Sequence, residues 1–181
     1  MVVEGLVLPG QDEPEGAIAR RVAKAWAALA RVTDPEIPVL SIVDLGIVRK
    51  ITENDGTLHV TITPTYSGCP ALRIIESAVR EALSASLLGP CVVETALAPA
   101  WTTDWMSAAG RSKLREYGIA PPAQKVVDVS GLSRRHTAPH VPCPRCSSLH
   151  TELLSQFGST ACKALYRCCD CLEPFDYFKC H

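Results

Sequence analysis

Hydrophobic positions along the 181-residue chain change period several times, and each change marks an element. Ile18, Val22, Trp26 and Leu29 recur at spacings of four, four and three, which sets them on one face of a helix from about Pro14 to Val32. Pro14 suits its first turn and Asp12 and Glu13 its positive end, while the prolines of TDPEIP stop it. The period then falls to two. In TLHVTIT, Leu58, Val60 and Ile62 point one way and Thr57, His59, Thr61 and Thr63 the other. With LGIVRKITE before it and Asn54-Asp55-Gly56 between, this predicts a β-hairpin with one buried and one polar face. Leu72, Ile75, Val79 and Leu83 restore the helical period from about Pro70 to Leu88, where Gly89-Pro90 ends it. CVVETALAP supplies another strand, and WMSAAGRSKLREYG a short helix that Thr103 or Asp104 can cap and Gly118 terminates.

The order α-β-β-α-β predicts an α+β fold, a small sheet with helices packed on one face. From Ile119 to Val141 the periodicity fails, and APPAQ and SGLSRRHTAPHVP are rich in proline, serine and charge. The expected organisation is a domain over 1–118, a linker over 119–141 and a zinc-ribbon-like module over 142–181, with no internal repeat. Composition supports a packed core: 47% of residues are hydrophobic and 20% charged. The formal net charge of −1 leaves no electrostatic footprint for nucleic acid. The first fifteen residues carry acids and no basic start, so no secretory signal is visible, and no apolar run spans a bilayer. A cytoplasmic protein is expected, in which closely spaced cysteines hold metal rather than form disulfides.

Nine cysteines then become informative. Cys143 and Cys146 have two residues between them, as do Cys168 and Cys171, and 21 residues separate the pairs. Two such knuckles make a tetrahedral four-sulfur site, most often structural zinc, with rubredoxin-like iron the alternative. The metal answers a size problem, since some forty residues bury too little surface to fold alone. TELLSQFGS and ALYRC are the expected ribbon strands. Cys169 is the spare of CCDC, and Cys162 and Cys180 read as small core residues rather than ligands. His136, His140 and His150 flank the module at positions that suit solvated linker or strand.

Asp34, Glu36 and Asp44 lie in DPEIPVLSIVDLGIV. Three acids near a turn can form an acid–base set or a hard-metal site. The spacing favours turn caps at Asp34 and Glu36 and a strand start at Asp44. Cys69, alone in the TPTYSGCP turn, stands at a predicted helix start, where amides and the helix dipole stabilise a thiolate. Gly68 lets backbone approach, and Pro70 fits the first helical position. A low-pKa thiolate there can be a nucleophile, a soft-metal ligand or a redox thiol. An inert packed cysteine satisfies the composition equally well. His59 is the one loose candidate for a general base.

Taken together, DPEIPVLSIVDLGIV and TPTYSGCP resemble the metal–sulfur cluster biosynthesis domain, the family of SufT and the cytosolic iron–sulfur targeting factors, over about residues 15–100. PAWTTDWMSAAGRSKLREYGIAPP and the cysteine-rich tail extend the likeness, over nearly the whole chain, to the PaaD family of accessory proteins. That family serves the phenylacetyl-CoA epoxidase system, a di-iron oxygenase fed by a reductase carrying a flavin and a [2Fe–2S] cluster. The resemblance implies that Cys69 is the family's cluster-handling cysteine and that Asp34 and Glu36 lie in its signature loop. It also sets Thr102, Thr103 and Trp105 in a PaaD-type segment. It implies a maturation factor that transiently holds iron or a cluster at Cys69 and passes it to the epoxidase components, the Fe–S reductase above all. One thiolate cannot hold a cluster, so a homodimer, a partner, or Cys162 and Cys180 must complete the site. The alternative is a non-catalytic scaffolding subunit of the oxygenase complex. An independent enzyme ranks third, because the sequence contains no dinucleotide fingerprint, P-loop or metalloprotease motif.

Overall fold

The computed structural model describes residues 14–122 and 141–179. Asp12, Glu13, His136, His140, Cys180 and most of the expected linker lie outside them. Helix α1 (Pro14–Leu29) buries Ala25, Ala28 and Leu29, with Val22 and Trp26 partly covered. Ile18, expected on the same face, stands outside the core at 41% exposure.

Strands β1 (Val48–Asn54) and β2 (Thr57–Ile62) pair antiparallel. Asp55 and Gly56 take φ of 48° and 74° between them. Two successive positive φ values make the tight turn that matches strand twist, which is why Asp-Gly is selected there. Helix α2 (Leu72–Ala85) crosses over and returns the chain as β3 (Cys91–Thr95), parallel to β2, in the order β1-β2-β3. Leu58, Val60 and Ile62 are fully buried beneath the two helices, and Ile75, Val79 and Leu83 are the helical half of that core. Each of these side chains contributes about 1.5–3 kcal/mol by leaving water. Arg21 ties the layers together. Its guanidinium donates to the carbonyls of Leu88 and Gly56 and pairs with Glu53 at 2.8 Å.

The next segment folds back onto the 41–46 loop. Thr103–Trp105 is one 3-10 turn, and helix α3 (Ala108–Glu116) follows. The cap of α3 is Ser107, whose Oγ accepts from the Gly110 amide at 2.9 Å, and not Thr103 or Asp104. Asp44 does not start a strand either. Its carboxylate sits in a turn four residues before β1, accepting from the Ser41 hydroxyl at 2.9 Å, the Ser107 hydroxyl at 3.1 Å and Lys113 Nζ at 2.6 Å. Gly46, at φ 67°, lies so close to Trp105 that an added Cβ would be 2.3 Å from its carbonyl oxygen. Trp101 Nε1 donates to the Leu45 carbonyl at 2.9 Å.

A second sheet has the order β4-β7-β6-β5, from β4 (Ile119–Ala120), β5 (Thr151–Ser155), β6 (Lys163–Cys168) and β7 (Pro174–Phe178). Ile119 and Ala120, assigned by composition to the linker, pair in parallel with Asp176 and Tyr177 of β7. Both are apolar and buried, and only the tertiary partner makes two residues a strand. The second sheet has its own apolar cluster around Tyr166, Phe175 and Tyr177, but it is also joined to the first core. Phe178 and Cys162 enter the apolar cluster of the first, where Phe178 meets Trp101 edge-to-face at 6.0 Å between ring centres.

Candidate functional site

The cysteine-rich end holds the better-defined constellation. Cys143 Sγ lies 3.8 Å from Cys171 Sγ, Cys146 Sγ lies 3.5 Å from Cys168 Sγ, and all four sulfurs fall within 4.8 Å of one another. A tetrahedral zinc with Zn–S near 2.3 Å requires sulfurs about 3.8 Å apart, so the set fits that ion. The two knuckles repeat one geometry. The amide of the first cysteine bonds to the carbonyl five residues on, Cys143 to Ser148 at 2.9 Å and Cys168 to Glu173 at 3.0 Å. The residue after the second cysteine, Ser147 or Leu172, has φ 63°.

The thiol chemistry agrees with a metal site. The Cys171 amide, with that of Asp170 and the neighbouring thiols, holds Cys168 down to about 7. The Ser148 amide pulls Cys146 the same way. The hydrogen bond with Cys168, helped by burial and the other two sulfurs, overrides it and pushes Cys146 up to about 12. Four thiolates this close cannot coexist without a cation among them. Cys169 stays outside the set, its amide donating to the His150 carbonyl at 2.8 Å. His150 Nδ1 is 3.1 Å from Asp170 Oδ1 on the surface, so it supports a knuckle rather than ligating.

Cys69, Asp34 and Glu36 converge elsewhere. Asp34 Oδ1 accepts from the amides of Glu36 and Ile37, both at 2.9 Å, as a turn cap does. Burial pushes its carboxyl up against those two bonds and the nearby Lys163 ammonium. Helix α2 begins at Leu72, so Cys69 and Pro70 belong to the turn before it rather than to its first position. The Ala71 and Leu72 amides do favour a Cys69 thiolate. Burial outweighs them, the charges of Glu36 and Asp34 add to it, and the thiol is pushed up. Of the two alternatives that the sequence left open, a low-pKa thiolate and a packed thiol, the surroundings favour the second: Cys69 is half-buried beside two acids and its thiol is pushed up. His59 stays on the outer face of β2, opposite Thr52, with no bond to Cys69 among the described residues.

One neighbour of this site is a cysteine that the sequence offered both as a small core residue and as one way of completing the Cys69 site. Cys162, from the turn before β6, is buried with its Sγ 3.6 Å from Glu36 Oε2 and 3.1 Å from Thr160 Oγ1. Burial and the charges of Glu36 and Asp34 push its thiol up to about 11. A surplus cysteine outside both knuckles was the sole sequence signal for it.

The fold and the four-cysteine set define a class, a small α+β domain carrying a zinc-ribbon-like module. Residues 23–96 match the family of iron-sulfur cluster assembly proteins, and residues 128–179 match the PaaD zinc beta ribbon domain. The chain is 53% identical over 160 residues to an Escherichia coli (strain K12) protein named provisionally as a subunit of 1,2-phenylacetyl-CoA epoxidase, covering 88% of this chain and 93% of that one. It belongs to the PaaD family of phenylacetyl-CoA epoxidase subunits. Half of the chain is also 40% identical to the Fe-S protein maturation auxiliary factor YitW of Bacillus subtilis (strain 168), covering 81% of that protein. The crystal structure of a domain of unknown function, DUF59, from Bacillus anthracis superimposes with a TM-score of 0.52 at 30% identity, covering 54% of this chain and 94% of that one.

Proposed function

We propose that this protein is an accessory maturation factor of the phenylacetyl-CoA epoxidase system in aerobic phenylacetate catabolism. Cys69 transiently holds iron or an iron–sulfur cluster and passes it to the epoxidase components, the Fe–S reductase first. The observation that carries the reading is the position of Cys69. It sits half-buried at the mouth of α2, flanked by Asp34 and Glu36, in a domain of the iron-sulfur cluster assembly family. A protonated thiol beside acids is a poor nucleophile for carbon but a good latent ligand. An arriving thiophilic cation displaces its proton, and a competing metal-chelating thiol removes the cation again. In the ribbon, Cys143, Cys146, Cys168 and Cys171 would hold structural Zn2+, which supplies folding energy to a module too small to fold without it. No described helix is long and apolar enough to cross a membrane, and the reading puts the protein in the cytoplasm.

A scaffolding role is the second reading, favoured by an apolar strip on the ribbon. Leu153, Leu154 and Phe157, on and just after the edge strand β5, are 41%, 48% and 66% exposed. The two readings part at Cys69→Ala. The reductase is co-produced with the wild type or the variant, and its iron and acid-labile sulfide are measured. Maturation predicts full occupancy with wild type and several-fold lower occupancy with the variant, while the ribbon keeps its zinc. Equal loading sinks the mechanism and leaves scaffolding.

A further inference from the structure

The second sheet ends in an edge that nothing covers among the described residues. Its order β4-β7-β6-β5 leaves β5 paired on one side alone, so alternate amides and carbonyls of that strand face outward. Folded proteins guard such edges with lysine, proline or charge, as β1 does here with Arg49 and Lys50. From Leu149 to Phe157 the chain reads LHTELLSQF, with no lysine or proline, and its one acid, Glu152, is paired with Arg167 of β6. A bulge can also blunt an edge. Here the register shift between Leu153 and Ser155 leaves both Leu153 and Leu154 exposed, with Leu149 at 62% just before the strand and Phe157 just after it. These four side chains expose on the order of 400 Å2 of apolar surface, the size of patch that marks an interaction site.

We propose that β5 is a homodimer interface, pairing antiparallel with β5 of a second copy across a two-fold axis. Charge selects the second copy as occupant. In registers centred on Leu153, on Leu154 or between them, Glu152 faces Leu154, Gln156 or Ser155 of the other copy and never the other Glu152. The edge is therefore self-complementary, with no like charges set opposite each other. Area agrees with this. A specific interface takes about 800 Å2 from each partner, a little over half of it apolar, and the strip supplies most of that apolar share before its polar rim is added. No residue of β5 belongs to the first core, and β5 is the edge opposite β4, so pairing there leaves the Cys69 turn open to a client. The proposal goes beyond the maturation reading and does not depend on it. An apolar strip filled by a second copy no longer argues for scaffolding.

Sedimentation equilibrium of the zinc-loaded full chain tests this. Wild type is expected to sediment at twice the 19.5 kDa chain mass, with a dissociation constant of about 10 μM or tighter. Leu154→Glu and Phe157→Glu should each weaken association about a hundredfold or leave a monomer, because the two-fold axis brings two new charges into one apolar strip. Leu87→Glu, at a still more exposed leucine of the first domain, should leave the dimer unchanged. Zinc analysis verifies that each variant keeps its ribbon. Hydrogen exchange of the wild type reads the same interface without a substitution: β5 amides should lose protection on dilution below the dissociation constant, while those of β6 and β7 keep theirs. A monomer at every concentration overturns the proposal, and so does a dimer indifferent to both β5 substitutions. Protection of β5 that dilution leaves unchanged would mean that its own chain covers the edge, which overturns it too. A monomeric wild type whose Leu154→Glu form loses binding to the purified reductase assigns the strip to that partner instead.

Discussion

The Asp44 carboxylate ties the 41–46 loop to Ser107 and to Lys113 of α3. Burial pushes its pKa up, but hydrogen bonds from Lys113, Ser41 and Ser107 more than offset this and hold it below its ordinary value of 3.8. A depressed folded-state pKa contributes stability that is present above the unfolded value and is lost as pH falls through the folded one. Asp44→Ala should therefore lower stability by about 1–3 kcal/mol at pH 7, read by urea denaturation with tryptophan fluorescence. The gap between variant and wild type should narrow below pH 4, since the wild-type carboxyl is then losing its charge. An unchanged gap in acid would mean that packing, and not charge, holds the 41–46 loop. Cys69 works in the opposite sense, raised by burial and neighbouring acids. Its residue type and turn were legible in the sequence. The sign of its pKa shift was not, because that depends on Glu36 and Asp34, more than thirty residues away, and on what buries it.

Elements report their own dependencies. The second helix and the hairpin were readable because their apolar residues follow periods of 3.6 and 2 and because Asp-Gly selects the turn. The start of α3 was displaced to Ser107, since the 3-10 turn at Thr103–Trp105 is imposed by packing on the 41–46 loop. Ser107→Ala should cost about 1 kcal/mol, removing both the cap and the bond to Asp44. Gly46→Ala should cost more, roughly 2–4 kcal/mol, because φ is positive and the new Cβ collides with main chain that cannot swing aside. Chemical denaturation of the two variants checks the order. A harmless Gly46→Ala would show that the Trp105 segment moves freely. Strand β7 and the two residues of β4 were missed, β7 because Phe175 and Tyr177 on either side of Asp176 are a short signal beside a cysteine cluster, and β4 because two residues carry no periodic signal.

At the scale of the whole molecule, the ribbon and the assembly domain share the Trp101–Phe178 contact and the Cys162–Glu36 contact. Removing the ribbon metal with a strong chelator should abolish amide protection across β5, β6 and β7 and alter Trp101 fluorescence, while α2 and β2 keep slow exchange. Hydrogen exchange with zinc restored afterwards gives the reversal. Retained protection of β6 without metal would mean that the ribbon is held by its apolar contacts alone. Short stretches of chain were enough to specify the element types, the four knuckle cysteines and the family, because periodicity, turn chemistry and ligand spacing all act locally. Folding in three dimensions was needed to settle that Asp44 is tied to Ser107 and Lys113 and that Cys162 meets Glu36. Those outcomes depend on which distant surfaces exclude water together, and burial of that kind has no local signature in the chain.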